Sequence, residues 1–339
     1  LMGAVAIGLF AYQLAGEAQA GAFFGSGALV LSSLLVWLRQ TIHHDATALP
    51  RSLSLVNLAT RNARRNPSRT ILSVGLAAVA SFLIVALSAF RLAPTGQGTG
   101  GFDLIASADQ PIHFDLNTSA GREELGFADR ENEELEKSSI YGFRLHRGED
   151  ASCLNLYQTS QPALVGVPEV FYAEKTFGWA ATAELPEGES PWKLLDRELA
   201  DDEQGCAVVP VVLDKNTAVY SLHLSGVGST FSIRDTADQP VTLQVVGLLA
   251  GSVWQGKVLM SEANLVHLFP ENSGQQVFLI RKGENVLAGE ELVNLLESQL
   301  EDYGLDAVST EQQLAEFLAV QNTYLSTFQS LGALGLLLG

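Results

Sequence analysis

The chain has 339 residues, a formal net charge of −18 and two cysteines. Two cysteines cannot staple a chain of this length, and the acidic balance argues against nucleic-acid binding by the chain as a whole. The charge is uneven: residues 1–92 hold seven Arg and no Lys against Glu17 and Asp45, a net of +5, while the rest holds 13 basic and 36 acidic residues, a net of −23.

Residues 1–15 form an apolar run with Met2 inside it, which reads as a membrane span cut short at its start. Residues 22–38 are a second span, uncharged until Arg39, with Trp37 where an interfacial aromatic belongs. The intervening segment, 39–69, holds six Arg and one acid. Leu55, Leu58, Ala59 and Asn62 follow helical spacing there, and Arg61, Arg64 and Arg65 lie off that stripe. Two readings stand: an interfacial amphipathic helix touching anionic lipid or a cytoplasmic partner, or a topology determinant alone. Pro67 is expected to end that helix.

The clearest span is 70–92, whose only charge is Arg91 at its end. Its 23 residues rise about 35 Å as a helix, enough to cross a hydrocarbon core of about 30 Å. By the positive-inside rule 39–69 is cytoplasmic, so the span leads outward into a large extracytoplasmic domain, 93–324. In that domain 101–108 reads as a strand, 120–137 as an acidic loop, and 141–158 as strand, turn and strand. The run WKLLDRELADD reads as a short surface helix. CAVVPVVL, VYSLHLSGVGSTFSI, VTLQVVGLLAG, KVLMS and QQVFLIRKG read as β-rich, and 290–303 as an amphipathic helix. A helix capped by Thr310 runs into a last span, which begins at 325 and is cut short at 339. The expected class is therefore a membrane protein: an α-helical transmembrane bundle with a large α+β extracytoplasmic domain inserted between two spans. Both chain ends fall in apolar runs, so the sequence reads as part of a longer one.

No G-x-x-x-x-G-K-[ST], H-E-x-x-H or G-x-S-x-G occurs, and Gly25-Ser26-Gly27 only resembles the last. The neighbours His43, His44 and Asp45 are poorly spaced to share an ion, and His113, His146, His223 and His267 are scattered. Cys153 and Cys206 fall on the oxidising side, as a disulfide or as two buried thiols. No catalytic, cofactor-binding or metal-binding residue is assigned, and no enzyme activity is expected. Ser73, Ala77 and Ser81 make a small-residue stripe, and Gly335 and Gly339 make a G-x-x-x-G; such surfaces suit close packing of transport helices, or reflect ordinary span composition.

The run at 55–90, with its turn Arg65-Asn66-Pro67-Ser68-Arg69, resembles the entry helix and first span of the FtsX-like, MacB-type ABC transporter permeases. Residues 241–270 resemble the strand and helix that close that family's extracytoplasmic domain, and 321–339 the helix that re-enters the membrane. The resemblance implies that 1–38 are two spans ending a preceding unit, with further spans and a coupling loop missing beyond 339. It implies a multi-pass protein of the cell membrane, with Arg61, Arg64, Arg65 and Arg69 at the membrane interface or a partner. ATP would be bound by a separate cytoplasmic ATPase subunit, this chain holding no cofactor. The other partners implied are membrane lipids and an envelope protein, and no nucleic acid. The implied function is mechanotransmission for export or extraction of a lipid, lipoprotein, peptide or drug-like cargo. The alternative is a non-transporting signalling or scaffold permease controlling a cell-wall hydrolase or sensor.

Overall fold

A computed structural model describes residues 17–44, 65–89, 93–148, 162–201, 207–283 and 289–338. The chain divides into two compact units, Leu1–Leu92 with Ala319–Gly339, and Ala93–Leu318.

In the first unit, α1 (Glu17–His44) and α2 (Pro67–Ala89) are the two helices, among the described residues, long and apolar enough to cross a membrane. Pro67 opens α2, where a proline at a first helical turn loses no hydrogen bond; Arg65 before it is helical and Asn66 is a bend, while the helix expected around 55–62 lies outside the described residues. The unit packs through small residues. A Cβ on Gly27 would lie 2.3 Å from the Phe82 ring, and one on Gly75 would lie 3.5 Å from Leu35. Phe24 meets Phe82 edge to face at 6.3 Å. Ser33 and Ser88 donate to the carbonyls of Leu29 and Ile84, so their hydroxyls are satisfied within their own helices.

The second unit is α+β. In chain order it holds β1 (Leu104–Ile112), α3 (Ser119–Glu124), α4 (Asp129–Leu135), β2 (Ser139–His146), β3 (Ala163–Val167), β4 (Trp179–Thr182), β5 (Val208–Asp214), β6 (Thr230–Arg234), β7 (Pro240–Leu249), β8 (Lys257–Ser261), α5 (Glu262–Leu268), β9 (Gln275–Arg281), α6 (Gly289–Gln299) and β10 (Leu305–Ser309). A last helix, α7, runs over Thr310–Leu338. The ten strands form one mixed sheet in the order β10-β1-β9-β2-β3-β8-β5-β7-β4, with β6 on β7. Only β3–β8 and β5–β7 are parallel. The central strands are continuous apolar runs because both faces are covered. Val211, Val212 and Leu213 of β5 are fully buried, as are Val258, Leu259 and Met260 of β8. Pro210 fits within β5 because β8 pairs only with Val212 and Leu213, leaving that side of Pro210 without a ladder to donate to.

Three local readings change, and two strands go unread. The acidic stretch 120–137 is the helix pair α3–α4; its acids face outward while Leu125, Phe127 and Leu135 are buried. Arg122, itself buried, joins the pair by donating Nε to Asn132 Oδ1 at 2.7 Å and Nη1 to the Leu116 carbonyl at 3.0 Å. The expected surface helix in WKLLDRELADD is a 3₁₀ turn, Pro191–Asp196, whose Trp192, Leu194 and Leu195 are core residues. VYSLHL is no strand: Thr217–Ser221 is a π-type turn, held where the Gly256 N–H donates to Thr217 Oγ1 at 2.8 Å. Strands β3 and β4 come from ALVGV and WAAT, which carry no clear alternation.

Candidate functional site

The sheet domain receives and releases the chain at one place. Strands β1 and β10 pair antiparallel, with Leu104 opposite Ser309, so the first and last strands are neighbours. The incoming segment is shaped by a single turn, Gly96–Thr99, capped where the Gly98 N–H donates to Thr95 Oγ1 at 3.1 Å. Gly100 and Gly101 then adopt φ of 65° and 69°, a left-handed conformation that glycine enters without strain. This reversal delivers Phe102 into the core, 3% exposed.

Around Phe102 the chain is clasped. Its ring stacks on Phe171 at 6.0 Å and meets Tyr141 edge to face at 5.7 Å. The Arg281 guanidinium lies 4.4 Å above the same ring. Arg281 donates Nη1 and Nη2 to the two carboxylate oxygens of Glu174 at 3.1 and 2.8 Å, a two-point fork that lysine cannot make. Its Nε donates to the Gly101 carbonyl at 3.2 Å and Nη2 also to Gly100 at 3.4 Å. The Tyr141 hydroxyl donates to Glu174 Oε1 at 2.9 Å. The Arg281 hydrogen bonds hold the Glu174 carboxyl below its ordinary range despite partial burial. Burial, with the Glu174 charge beside it, raises the Tyr141 phenol.

The outgoing chain joins the same cluster. The Thr310 N–H donates to the Asp103 carbonyl at 3.0 Å, and its hydroxyl donates to the Phe102 carbonyl. Thr310 was expected to cap a helix; its hydroxyl instead ties the start of α7 to the incoming chain. Leu314 and Leu318 of α7 are buried in the same core as Phe102. Chemically the cluster holds no nucleophile beside a free base, and its charged groups are fully engaged with one another. It links the incoming strand, the outgoing helix and the Glu174 loop by hydrogen bonds.

The residues singled out from sequence lie elsewhere. Arg65 and Arg69 are exposed near the start of α2; Arg61 and Arg64 lie outside the described residues, as do Cys153, Cys206, Asp45 and Gly339. Ser73, Ala77 and Ser81 are exposed on α2, whose buried positions are Gly75, Ala80 and Ala86. A Cβ on Gly335 would meet nothing within 4 Å, whereas one on Gly332 would lie 3.2 Å from Ile84. Gln329 Nε2 donates to Ser88 Oγ at 3.0 Å beside it. Among the described residues no three His, Cys, Asp or Glu come together to hold a metal ion. Sequence reasoning missed Phe102, Tyr141, Glu174, Arg281 and the role of Thr310. The Gly100-Gly101 pair before an aromatic and a lone Arg ending an apolar strand were the available signals.

No protein-family model matches the chain, and no curated protein matches it. Among solved structures it is similar to the periplasmic region of MacB from Actinobacillus actinomycetemcomitans, at 12% identity and a TM-score of 0.29, covering 62% of this chain and 92% of that one. It is also similar to a domain of a putative permease protein from Porphyromonas gingivalis, at 10% identity and a TM-score of 0.27, covering 65% and 91%.

Proposed function

We propose that this chain is part of the membrane subunit of an ABC transporter, a permease whose extracytoplasmic domain is moved by ATP hydrolysis in a separate cytoplasmic subunit. The observation that carries the reading is the clasp. The domain's incoming segment and outgoing helix meet in one hydrogen-bonded cluster, with Thr310 bonded to Phe102 and Asp103 and Arg281 bonded to Gly100 and Gly101. A binding module hung from a membrane anchor has no need to join its two connections so tightly, whereas a domain driven by helix motion does. The two apolar helices α1 and α2 and the arginine-rich segment before α2 support a membrane setting with that segment inside. The FtsX-like, MacB-type resemblance of 55–90 and 241–270 supports the same class. The motion would serve export or extraction of a lipid, lipoprotein, peptide or drug-like cargo in the cell membrane.

The test is to purify the intact parent protein from its own membranes, identify the nucleotide-binding protein that accompanies it, and measure ATP hydrolysis with and without that protein. Hydrolysis is expected only in its presence. Sustained hydrolysis by the membrane protein alone, or purification without any nucleotide-binding protein, would overturn the reading.

A further inference from the structure

Strand β2 is paired over its first five residues on one side and over its last three on the other. Residues Ser139 to Phe143 pair with β9, but β3 meets β2 only at Arg144, Leu145 and His146. Continued past Arg144, the register of that second ladder sets Phe143 against Val167 and then Gly142 against Pro168. Pro168 has no N–H, and its carbonyl accepts the Phe171 N–H at 2.9 Å, so neither of its main-chain groups serves Gly142. The sheet therefore splits here. A cleft of about 300 Å³ opens in the split, lined among others by Asp115, Asn117, Ile140, Gly142, Pro168 and Val170.

The main-chain groups of β2 point into it. The Ile140 N–H donates to Asn117 Oδ1 at 3.1 Å, so Ile140 faces away from β9. In an antiparallel strand alternate residues turn their N–H and C=O to the same side, so Gly142 faces the cleft as well. Among the described residues its N–H and C=O have no partner there. Asn117 thus acts as an amide stand-in at one strand position, and the next position is open. A bare strand edge of this kind takes a peptide backbone, the ligand whose N–H and C=O match it.

The walls narrow the chemistry. Val170 is 71% exposed and stands beside Pro168, giving an apolar surface that no described residue covers. Asp115 supplies a carboxylate, one oxygen of which accepts the Asn117 N–H at 2.9 Å. All charged residues after position 92 lie before Leu318, so the domain itself carries the net −23. That field draws basic segments and repels acidic ones. The volume is at the small end of ligand sites, which run roughly 300–1,000 Å³, so only a short segment fits.

We propose that the cleft between β2 and Pro168–Val170 binds a short extended peptide segment, an apolar residue flanked by Lys or Arg, added as a strand at Gly142. This goes beyond the permease reading and does not depend on it.

The experiment uses the full chain in detergent and a labelled acetyl-Lys-Val-Thr-Val-Lys-amide peptide, followed by fluorescence anisotropy. Three controls accompany it: the same peptide N-methylated at its inner residues, its Glu-for-Lys version, and the protein variants Val170→Arg and Asp115→Asn. Val170 and Asp115 are not part of the Phe102 clasp, and thermal melting checks that both variants fold. Saturable binding is expected, weakened about tenfold or more by N-methylation and by Val170→Arg. Asp115→Asn should weaken the Lys peptide and leave the Glu peptide no worse. Amide exchange in 139–143 should slow when the Lys peptide is bound. Absence of saturable binding up to about 1 mM, or equal affinity for the N-methylated peptide, overturns the proposal. So does a concentration-dependent dimer that Val170→Arg dissolves, because the strand edge would then belong to a second copy.

Discussion

Arg281 meets a carboxylate, two main-chain carbonyls and an aromatic face at once. Lysine can satisfy only part of that set, so Arg281→Lys should cost on the order of 2 kcal/mol, read as a lowered melting temperature of the purified chain. The same pair sets a pH dependence. Glu174 has its carboxyl held below the ordinary 4.5, chiefly by the Arg281 hydrogen bonds. Its contribution is therefore full above pH 4.5 and fades as pH falls through the depressed folded value. Asp214 works in the opposite sense, since burial pushes its carboxyl up from 3.8 and protonation then suits the fold. The difference between wild type and Glu174→Gln isolates the first effect: it should shrink on acidification below pH 4.5, and a difference constant with pH would exclude it. Arg122 is a separate case. It is 1% exposed and bonded only to neutral groups, Asn132 and the Leu116 carbonyl, among the described residues. Arg122→Ala would leave those groups and a cavity unfilled. A loss of roughly 3 kcal/mol is expected, seen as earlier proteolysis within the helix pair around residue 122.

At the scale of elements, the incoming turn is the most constrained. A Cβ on Gly98 would lie 2.6 Å from the Gly251 carbonyl and 2.6 Å from Leu314, whereas Gly96 faces nothing within 4 Å. Gly98→Val should therefore destabilise the domain by about 1–3 kcal/mol, and Gly96→Ala should be close to neutral in the same melting assay. The α+β character was legible because β5, β7, β8 and β9 are apolar runs that need two covered faces, and because 290–299 keeps a helical stripe ending in buried Leu292 and Leu296. Helices α3 and α4 were not legible. They span six and seven residues, too short for a period to show, and their outward acids dominate the composition. Thr217–Ser221 misled for the opposite reason: apolar residues with β preference sit in a turn whose shape depends on a distant partner, Gly256. The clasp was hidden for the same reason. Thr310 and Phe102 are 208 residues apart, so no local pattern joins them.

For the whole molecule, the asymmetry of charge makes a definite statement about sidedness. With Cys153 and Cys206 replaced, single cysteines at Ser52 and Thr236 should react from opposite sides of sealed cells with an impermeant thiol reagent. Labelling of both from outside would reverse the topology drawn from the arginines.

The pairing of β1 with β10 has a further consequence for force. Leu104, where β1 begins, lies opposite Ser309, where β10 ends, so both tethers leave from the same end of the two strands. Pulling the tethers apart loads the ladder one rung at a time, like opening a zipper, and the rung nearest the tethers is Thr310 on Phe102 and Asp103. Pulling them together in one direction moves the two strands as one, so the load passes to the ladder between β1 and β9. The domain is thus mechanically stiff to a shared tug and yields readily to a splitting one.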